Sequence, residues 1–391
     1  MSFLRAARAA LAGQNCLPQI LVAVVAVVVL AGLSLSCGSS SHSTAGPNHN
    51  AYITLPSRGS VLLLHINGAT GAITLGAETP QVQNTSPTGI ALLPSKKFLY
   101  AVNSSSFADS ISIFNVASDG TLALSGTPTP AGNGPNDAVI DPSGKYLLVT
   151  NNFGNNVSVY SIDPSSGALS EVTGSPFPAN LNPSEILITP SGKFVYVTNS
   201  GIGRVTAFTF SNGVLSPPTS VFSGAGAFGL AVDVSEKFLY VANPSASNPP
   251  PFSSTTGNIS GFNIDPSSGA LTPIQGSPFP ATNGKGPSAV TVDPSGRFVY
   301  ATTPGSSFSI WCFTITPTNG QLVAATNSPF SLTAGGLFAL VDPRGNYLYI
   351  GSQDANGIAG YTYDPSTGAP TAITGSPFST GAAPGKMVLS E

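Results

Sequence analysis

A short apolar segment recurs seven times along the chain, and this repeat limits the possible folds more than any other feature. The copies follow one another at intervals of about 48 residues. They are YITL (52–55), FLYAVN (98–103), YLLVTN (146–151), FVYVTN (194–199), FLYVAN (238–243), FVYATT (298–303) and YLYIGS (347–352). This period is typical of the four-stranded blade of a β-propeller. The asparagine that ends four copies is predicted to hydrogen-bond the loop backbone that follows it.

One repeat shows how the strands of a blade are arranged. Residues 138–140, 146–150, 157–162 and 168–172 are rich in β-forming residues and are predicted to be its four strands. The turns between them, DPSG at 141–144 and DPSSG at 163–167, combine a proline that fixes φ with a glycine that accepts positive φ. The next segment, GSPFP at 174–178, is rich in proline and is predicted to leave the sheet.

The two ends of the repeat region indicate how the array is completed. The first repeat begins at its second strand, whereas the chain finishes with PGKMVLSE, which resembles the inner strand PSEILIT at 183–189. The C-terminal strand is therefore predicted to complete the first blade, which removes the exposed edges of an open array. An open solenoid would need polar caps at both ends instead. We predict an all-β, seven-bladed propeller of four-stranded antiparallel blades over residues 51–391.

The N-terminus has a different composition and indicates export. Arg5 and Arg8 precede an apolar run at 20–35, which is followed by small residues. Cys37 stands where a bacterial lipoprotein signal carries its lipidated cysteine, although Ser34 replaces the usual leucine. We predict a lipoprotein-type signal at 1–36, a Ser/Gly-rich tether at 37–50 and a location in the cell envelope. A signal cleaved without lipidation and an uncleaved anchor remain as alternatives.

The composition excludes several classes of protein. Charged residues make up 7% of the chain, and its net charge of −3 comes without a basic stripe, so no nucleic-acid partner is predicted. With Cys37 lipidated, Cys312 has no disulfide partner in the mature chain. The sequence has no Cys/His spacing for zinc, no phosphate-binding glycine loop and no G-x-S-x-G motif. We predict a monomer without metal or cofactor, attached to a membrane only through its N-terminus.

The repeats themselves resemble those of a known family. FLYAVN, FVYVTN and FLYVAN, each after a turn similar to PSGK, resemble the YVTN-type repeat of lactonase-like seven-bladed propellers. The family is named after 6-phosphogluconolactonase-type hydrolases, and the resemblance implies the same fold. It also implies a ligand site at the channel mouth, where the enzymes of the family tend to carry histidine and arginine. Other exported propellers of this type are implied to be binding or scaffold proteins.

Few residues of this chain match that charged mouth. Seven equivalent positions lie four residues before the first residue of the turn that follows each inner strand. Asp137, Glu185 and Lys386 are the charged residues there, and none of the seven is histidine or arginine. The full set is Gly89, Asp137, Glu185, Gly229, Ala289, Phe338 and Lys386. The three histidines lie elsewhere, with His42 and His49 assigned to the tether and His65 to a strand of the first blade.

These residues support more than one function. Asp137 and Glu185 lie on adjacent blades, so with Lys386 they are predicted to bind a ligand, a glycan or an envelope protein. They are also weak candidates for catalysis, with either acid as a base and Lys386 as the positive group that lactone hydrolysis requires. Capping of strand ends or of inner-strand amides is the structural alternative. The sequence favours a non-enzymatic binding protein, with a lactone hydrolase and a structural envelope protein as alternatives.

Overall fold

The computed structural model describes residues 48–82, 85–105, 109–244, 257–281, 286–303, 309–331 and 336–390. The predicted signal, Cys37 and all of the tether except its last three residues lie outside the described residues. The chain divides into two units, Met1–Thr44 and Ala45–Glu391, and every described residue belongs to the second. No helix in these described ranges is long and apolar enough to span a membrane.

The described residues form seven antiparallel sheets, numbered here as blades 1 to 7 in the order of their second strands. From blade 1 to blade 7, the inner strands are Met387–Ser390, Pro87–Leu92, Pro135–Ile140, Pro183–Ile188, Leu230–Val232, Ala289–Val292 and Phe338–Val341. The second strands are His49–Leu55, Phe98–Asn103, Tyr146–Asn151, Phe194–Asn199, Phe238–Asn243, Phe298–Thr303 and Tyr347–Ser352. The third strands are Ser60–Ile66, Ser110–Val116, Asn156–Ile162, Arg204–Ser211, Asn258–Ile264, Ser309–Ile315 and Gly357–Tyr363. The outer strands are Ile73–Glu78, Leu122–Leu124, Leu169–Glu171, Val214–Leu215, Leu271–Pro273, Leu322–Ala324 and Pro370–Ala372.

Closure of the ring by the C-terminus is confirmed. Met387–Ser390 pairs with His49–Leu55, with Ile53 opposite Met387 and Asn50 opposite Ser390. The sheet order of blade 1 therefore joins the last strand of the chain to the first three. His49, which the sequence assigned to the tether, already belongs to this strand pair because it lies opposite Ile66 of the third strand.

The proline-containing segment after each outer strand behaves differently from the prediction. In blade 3, Phe177–Pro178 pairs with Asn156 and Val157 of the third strand, so these residues do not leave the sheet. Blades 2, 4, 5, 6 and 7 have the same additional strand, formed by Thr129–Pro130, Thr219–Phe222, Phe279–Pro280, Phe330–Ser331 and Phe378–Ser379. The hydroxyl of Ser175 accepts a hydrogen bond from the Val159 amide at 2.9 Å, and this side-chain acceptor extends the strand pairing.

A tyrosine in the second strand ties each of six blades to the next one. Tyr240, for example, donates a hydrogen bond of 2.8 Å to the carbonyl of Gly320 in the turn between the third and outer strands of the following blade. Gly320 has a φ of 72°, which favours glycine at this position. Blade 3 has Leu148 at the same position. The six tyrosines are Tyr52, Tyr100, Tyr196, Tyr240, Tyr300 and Tyr349.

The recurring asparagine also has a structural role, but its main partners are not those predicted. Asn151 donates a hydrogen bond to the hydroxyl of Ser158 at 2.9 Å, and Asn243 donates one to the hydroxyl of Ser260 at 3.1 Å. Both acceptors lie on the third strand of the same blade rather than in the loop backbone. The asparagine therefore fixes two neighbouring strands to each other near the end of the second strand.

Candidate functional site

One end of the channel carries the charged residues that the sequence singled out. The loops that precede the inner strands meet the loops that follow the second strands at this end, as shown by the 2.7 Å hydrogen bond from the Asn152 amide to the Gly134 carbonyl. A second such bond joins Ser200 to Asn182 at 3.1 Å. We call this end the channel mouth, and define it by the seven equivalent inner-strand positions.

Threonines of the second strands fix the backbone of the three charged residues. The amide of Asp137 donates a hydrogen bond to Oγ1 of Thr150 at 3.1 Å. Glu185 is bonded in the same way to Thr198 at 3.1 Å, and Lys386 to Thr54 at 2.9 Å.

Two of these threonine hydroxyls also bond the neighbouring blade. Oγ1 of Thr150 donates a hydrogen bond to the carbonyl of Ser184 at 2.9 Å, and Oγ1 of Thr198 donates one to the carbonyl of Phe228 at 2.8 Å. Each hydroxyl thereby holds its own inner strand and the next one together. This bonding places the charged residues on a rigid part of the fold.

The three charged side chains meet in one group, which we call the mouth cluster. Nζ of Lys386 donates a hydrogen bond to Oε1 of Glu185 and lies 3.7 Å from Oδ2 of Asp137. Lys386 belongs to blade 1 and Glu185 to blade 4, which are nearly opposite in a ring of seven, so the ammonium group bridges the channel. The side chains are mostly buried, with exposed fractions of 23% for Lys386, 11% for Asp137 and 13% for Glu185.

Each acid of the mouth cluster also binds an amide of the next inner strand. Oδ2 of Asp137 accepts a hydrogen bond from the Ile186 amide at 3.3 Å, and Oε2 of Glu185 accepts one from the Leu230 amide at 3.2 Å. The predicted bonding to inner-strand amides is therefore observed. It accompanies the contacts with Lys386 rather than replacing them, so each carboxylate bonds both an amide and the ammonium group.

The protonation of the mouth cluster is unusual. Burial raises the pKa of Asp137 to about 6. The positive charge of Lys386 acts in the opposite direction and lowers this pKa, whereas the negative charge of Glu185 raises it further. Burial alone would lower the pKa of Lys386, but the carboxylates of Asp137 and Glu185 outweigh it and raise that pKa above its usual range. At neutral pH Lys386 therefore keeps its ammonium group, and Asp137 is mostly ionised and binds a proton at about pH 6.

Gly89, at the equivalent position of blade 2, lies close against the backbone of Asp137. A Cβ on Gly89 would lie 2.8 Å from Cα of Asp137 and 2.8 Å from Cγ2 of Val102, closer than such contacts normally are. Gly229, Ala289 and Phe338 occupy the remaining positions in blades 5 to 7. The mouth is therefore charged on the side of blades 1, 3 and 4 and uncharged on the side of blades 5 to 7.

The histidines that the structure describes do not reach the mouth. His49 lies at the opposite end of the ring, 3.5 Å from the Asp342 carboxylate and beside Arg344. His65 contacts Asn50 at 2.9 Å in the third strand of blade 1. In the described part of the chain, no group of three or more His, Cys, Asp or Glu side chains is arranged to hold a metal ion.

The sequence analysis identified the three charged residues but not the threonines that hold their backbone. Thr54, Thr150 and Thr198 share one position in the second strand, directly opposite the charged residues. Val102 and Gly351 occupy that position where the inner strand carries Gly89 and Phe338. Thr302 of blade 6 also occupies that position, opposite the uncharged Ala289, so the threonine alone does not mark a charged partner.

The same fold occurs in several solved structures. A provisionally assigned 6-phosphogluconolactonase of Bacteroides fragilis is 21% identical, with a TM-score of 0.74 over 89% of this chain and 99% of that one. One from Bacteroides uniformis is 20% identical, with a TM-score of 0.74 over 88% of this chain and 100% of that one. The periplasmic gluconolactonase PpgL of Pseudomonas aeruginosa is 16% identical, with a TM-score of 0.68 over 88% and 99% of the two chains. At these identities the similarity shows the fold alone.

The sequence itself gives the family. No curated protein matches it significantly. Residues 42–178, 171–278 and 255–383, however, match the family described as Lactonase, 7-bladed beta-propeller. Because these segments cover most of the chain, including Asp137, the protein belongs to this family of seven-bladed lactonase propellers.

Proposed function

We propose that this protein hydrolyses a lactone and that the mouth cluster is its active site. The observation that carries the proposal is the pairing of a mostly buried carboxylate, Asp137, with the ammonium group of Lys386 at 3.7 Å in the channel mouth. A base and a positive group in one water-accessible cleft are what hydrolysis of a carboxylic ester requires. Membership of the lactonase family supports this function better than the binding function that the sequence alone favoured.

Asp137 is the proposed general base. Its carboxylate takes a proton from water as the water oxygen bonds to the lactone carbonyl carbon. A pKa of about 6 keeps this carboxylate ionised at neutral pH while making it a stronger base than an ordinary aspartate. When the ring C–O bond breaks, the proton on Asp137 passes to the leaving oxygen, so a lactone and one water give one hydroxy acid.

Lys386 is the proposed partner of the developing oxyanion. An ammonium group has three N–H donors, and the contacts with Glu185 and Asp137 occupy two of them at most. The third can donate to the lactone carbonyl oxygen, where negative charge develops as water attacks. Because the cluster is mostly buried, this interaction is stronger than it would be in water.

Glu185 is the proposed positioning residue for Lys386. Its Oε1 accepts the hydrogen bond from Nζ, and its Oε2 is held by the Leu230 amide at 3.2 Å. The carboxylate is therefore fixed at both oxygens. This arrangement keeps the flexible lysine side chain across the channel, where it meets Asp137.

The test is hydrolysis of a panel of sugar lactones by the purified full-length chain, compared with Asp137→Asn. Asp354→Asn is the matched control, because Asp354 is an exposed acid in a loop at the same end of blade 7 and makes the same change of charge. We expect turnover above the spontaneous rate that falls about 100-fold or more in Asp137→Asn and persists in Asp354→Asn. Equal turnover in all three proteins, or none in any, would contradict the proposal.

We further propose that the chain is exported and held in the cell envelope by lipid on Cys37. The basic start, the apolar run at 20–35 and the small residues before Cys37 support this location. Mass spectrometry of the mature protein is expected to find a lipidated N-terminal Cys37, and Cys37→Ser is expected to leave the membrane fraction. An unmodified Cys37 in the mature protein would contradict lipidation.

A further inference from the structure

We infer that the mouth cluster selects lactones without a negative charge, such as unphosphorylated sugar lactones, over phosphorylated ones. The inference rests on the proposed function and concerns the substrate class of the same site. It follows from the balance of charge among the residues at the seven equivalent positions of the channel mouth.

The cluster itself is negative. With both acids ionised, Asp137 and Glu185 outweigh Lys386 by one charge. The single positive charge of the ammonium group is already offset by the two carboxylates, so its remaining N–H donor brings no net positive charge to a dianionic phosphate. The remaining positions of the mouth, Gly89, Gly229, Ala289 and Phe338, carry no charge.

The other described cations at this end, Arg58 and Arg204, are hydrogen-bonded to groups outside the mouth cluster. Arg58, in the loop after the second strand of blade 1, donates hydrogen bonds to Glu78 at 2.9 Å and to the Gly381 carbonyl at 2.7 Å. Arg204, at the start of the third strand of blade 4, donates a bond of 3.0 Å to the Ser220 hydroxyl. Neither guanidinium group is part of the mouth cluster.

The loop segments outside the described residues can add at most one positive charge to this balance. Their sequences, at 83–84, 106–108, 245–256, 282–285, 304–308 and 332–335, contain one charged residue, Lys285. A phosphate site normally combines several donors, such as arginines, lysines and a helix N-terminus. One additional lysine does not supply such a set, and variants at Lys285 can test its contribution directly.

The negative charge of the mouth cluster predicts that the site distinguishes a neutral lactone from a phosphorylated one. A phosphate dianion within several ångströms of two carboxylates is repelled, and the repulsion is strong because the cluster is largely removed from water. The hydroxyl groups of a neutral sugar ring, in contrast, can donate hydrogen bonds to Asp137 and Glu185. We therefore expect kcat/KM for the neutral lactone to exceed that for the phosphorylated lactone by about tenfold or more at low ionic strength.

The experiment measures kcat/KM of the full-length protein for D-glucono-1,5-lactone and for its 6-phosphorylated form. In Glu185→Gln, the ratio between the two substrates is expected to fall because the negative charge of the cluster is removed. In Asp354→Asn, which removes the same charge from the same end but outside the cluster, the ratio is expected to stay as in the wild type. Added salt is expected to reduce the ratio by screening the repulsion.

Three results would overturn the inference, and they can be distinguished from one another. Equal or faster turnover of the phosphorylated lactone would show that the site accepts the dianion, and loss of that turnover in Lys285→Ala would assign the phosphate to Lys285. A ratio that is the same in Glu185→Gln as in the wild type would show that the charge of the cluster does not set the preference. Absence of turnover with both lactones would reject the proposed function itself, and the inference with it.

Discussion

The aspartates at the two ends of the propeller have opposite properties. At the mouth, Asp137 is mostly buried, and burial raises its pKa to about 6. At the other end, Asp265 is exposed in the turn between the third and outer strands of blade 5. The hydroxyls and amides of Ser267 and Ser268 donate hydrogen bonds to its carboxylate and lower its pKa to about 2. Local hydrogen bonds thus stabilise the charge of Asp265, whereas burial opposes the charge of Asp137.

This difference helps to separate structural from functional residues in a repeat protein. Asp163, Asp265 and Asp364 occupy the same turn position in three blades, and each accepts hydrogen bonds from the residues two and three positions later. The mouth cluster instead breaks the repeat, because blades 1, 3 and 4 have charged residues where the other blades have glycine, alanine or phenylalanine. A residue that recurs at one position in several blades has a structural role in each of them. A charged residue that departs from the repeat, and whose charge is destabilised by burial, indicates a functional site.

The largest expected effect comes from removing the cation of the mouth cluster. In Lys386→Met, kcat for a neutral lactone is expected to fall about 100-fold or more because the developing oxyanion loses its partner. The pH dependence of kcat/KM is also expected to move to higher pH, since Asp137 would retain only its like-charged neighbour.

The control for this variant is Lys237→Met, in the turn between the inner and second strands of blade 5, at the opposite end of the ring. It is expected to keep the activity and the pH profile of the wild type. A similar loss of kcat in both variants would mean that Lys386 acts through stability rather than through the reaction. Thermal unfolding of both proteins separates these two explanations.

A second effect concerns the pH dependence of stability. A raised pKa means that folding favours protonated Asp137, so the wild type loses stability as the pH rises from about 4 to about 6. Asp137→Asn is not subject to this loss, and its free energy of unfolding relative to wild type is expected to increase by roughly 3 kcal/mol over that range. Denaturant unfolding from pH 4 to 8 measures the difference.

Asp265→Asn provides the opposite case for the same measurement. A lowered pKa stabilises the folded protein above the pKa of an unfolded aspartate, and this contribution is lost as the pH falls toward 2. The variant is therefore expected to be less stable than the wild type at neutral pH and to approach it in acid. If both variants changed stability in the same direction with pH, the contrast between the two ends of the molecule would be wrong.

A smaller effect is expected from adding a methyl group at Gly89, close to the backbone of Asp137. In Gly89→Ala, the new Cβ would contact Cα of Asp137, so the carboxylate should shift relative to Lys386 and kcat/KM should fall about tenfold. Gly229→Ala is the matched control, since its Cβ would lie 3.0 Å from Cα of Ala289, an uncharged residue. If the two variants lose similar stability but Gly229→Ala loses clearly less kcat/KM than Gly89→Ala, the result would support a positioning role for Gly89.

Much of the fold could be predicted from the sequence because each repeat can be compared with the other six. The seven-fold recurrence and the half-repeats at the two ends were sufficient to predict the closure between Met387–Ser390 and His49–Leu55. The strand pairing of Phe177–Pro178 could not be seen, because proline normally argues against a strand and the compensating acceptor is the side chain of Ser175.

The site was predictable only in part. Counting positions in the repeat selected Asp137, Glu185 and Lys386, because equivalent residues lie at equivalent heights in a ring. That count could not show that the Lys386 side chain reaches across to Glu185 of blade 4, since this depends on the conformation of the side chain in the assembled ring. Nor could it show the raised pKa of Asp137, which depends on burial. These properties belong to the assembled ring rather than to any one repeat.

The most direct test of the central claim is the pH dependence of kcat/KM for D-glucono-1,5-lactone, corrected for spontaneous hydrolysis. This quantity reports the pKa of the essential base in the free enzyme. If Asp137 in the mouth cluster is that base, kcat/KM should rise with pH through a midpoint near 6, and this rise should be absent in Asp137→Asn. A wild-type profile that stays level from about pH 5 to about pH 7, or one that Asp137→Asn leaves unchanged, would contradict the account.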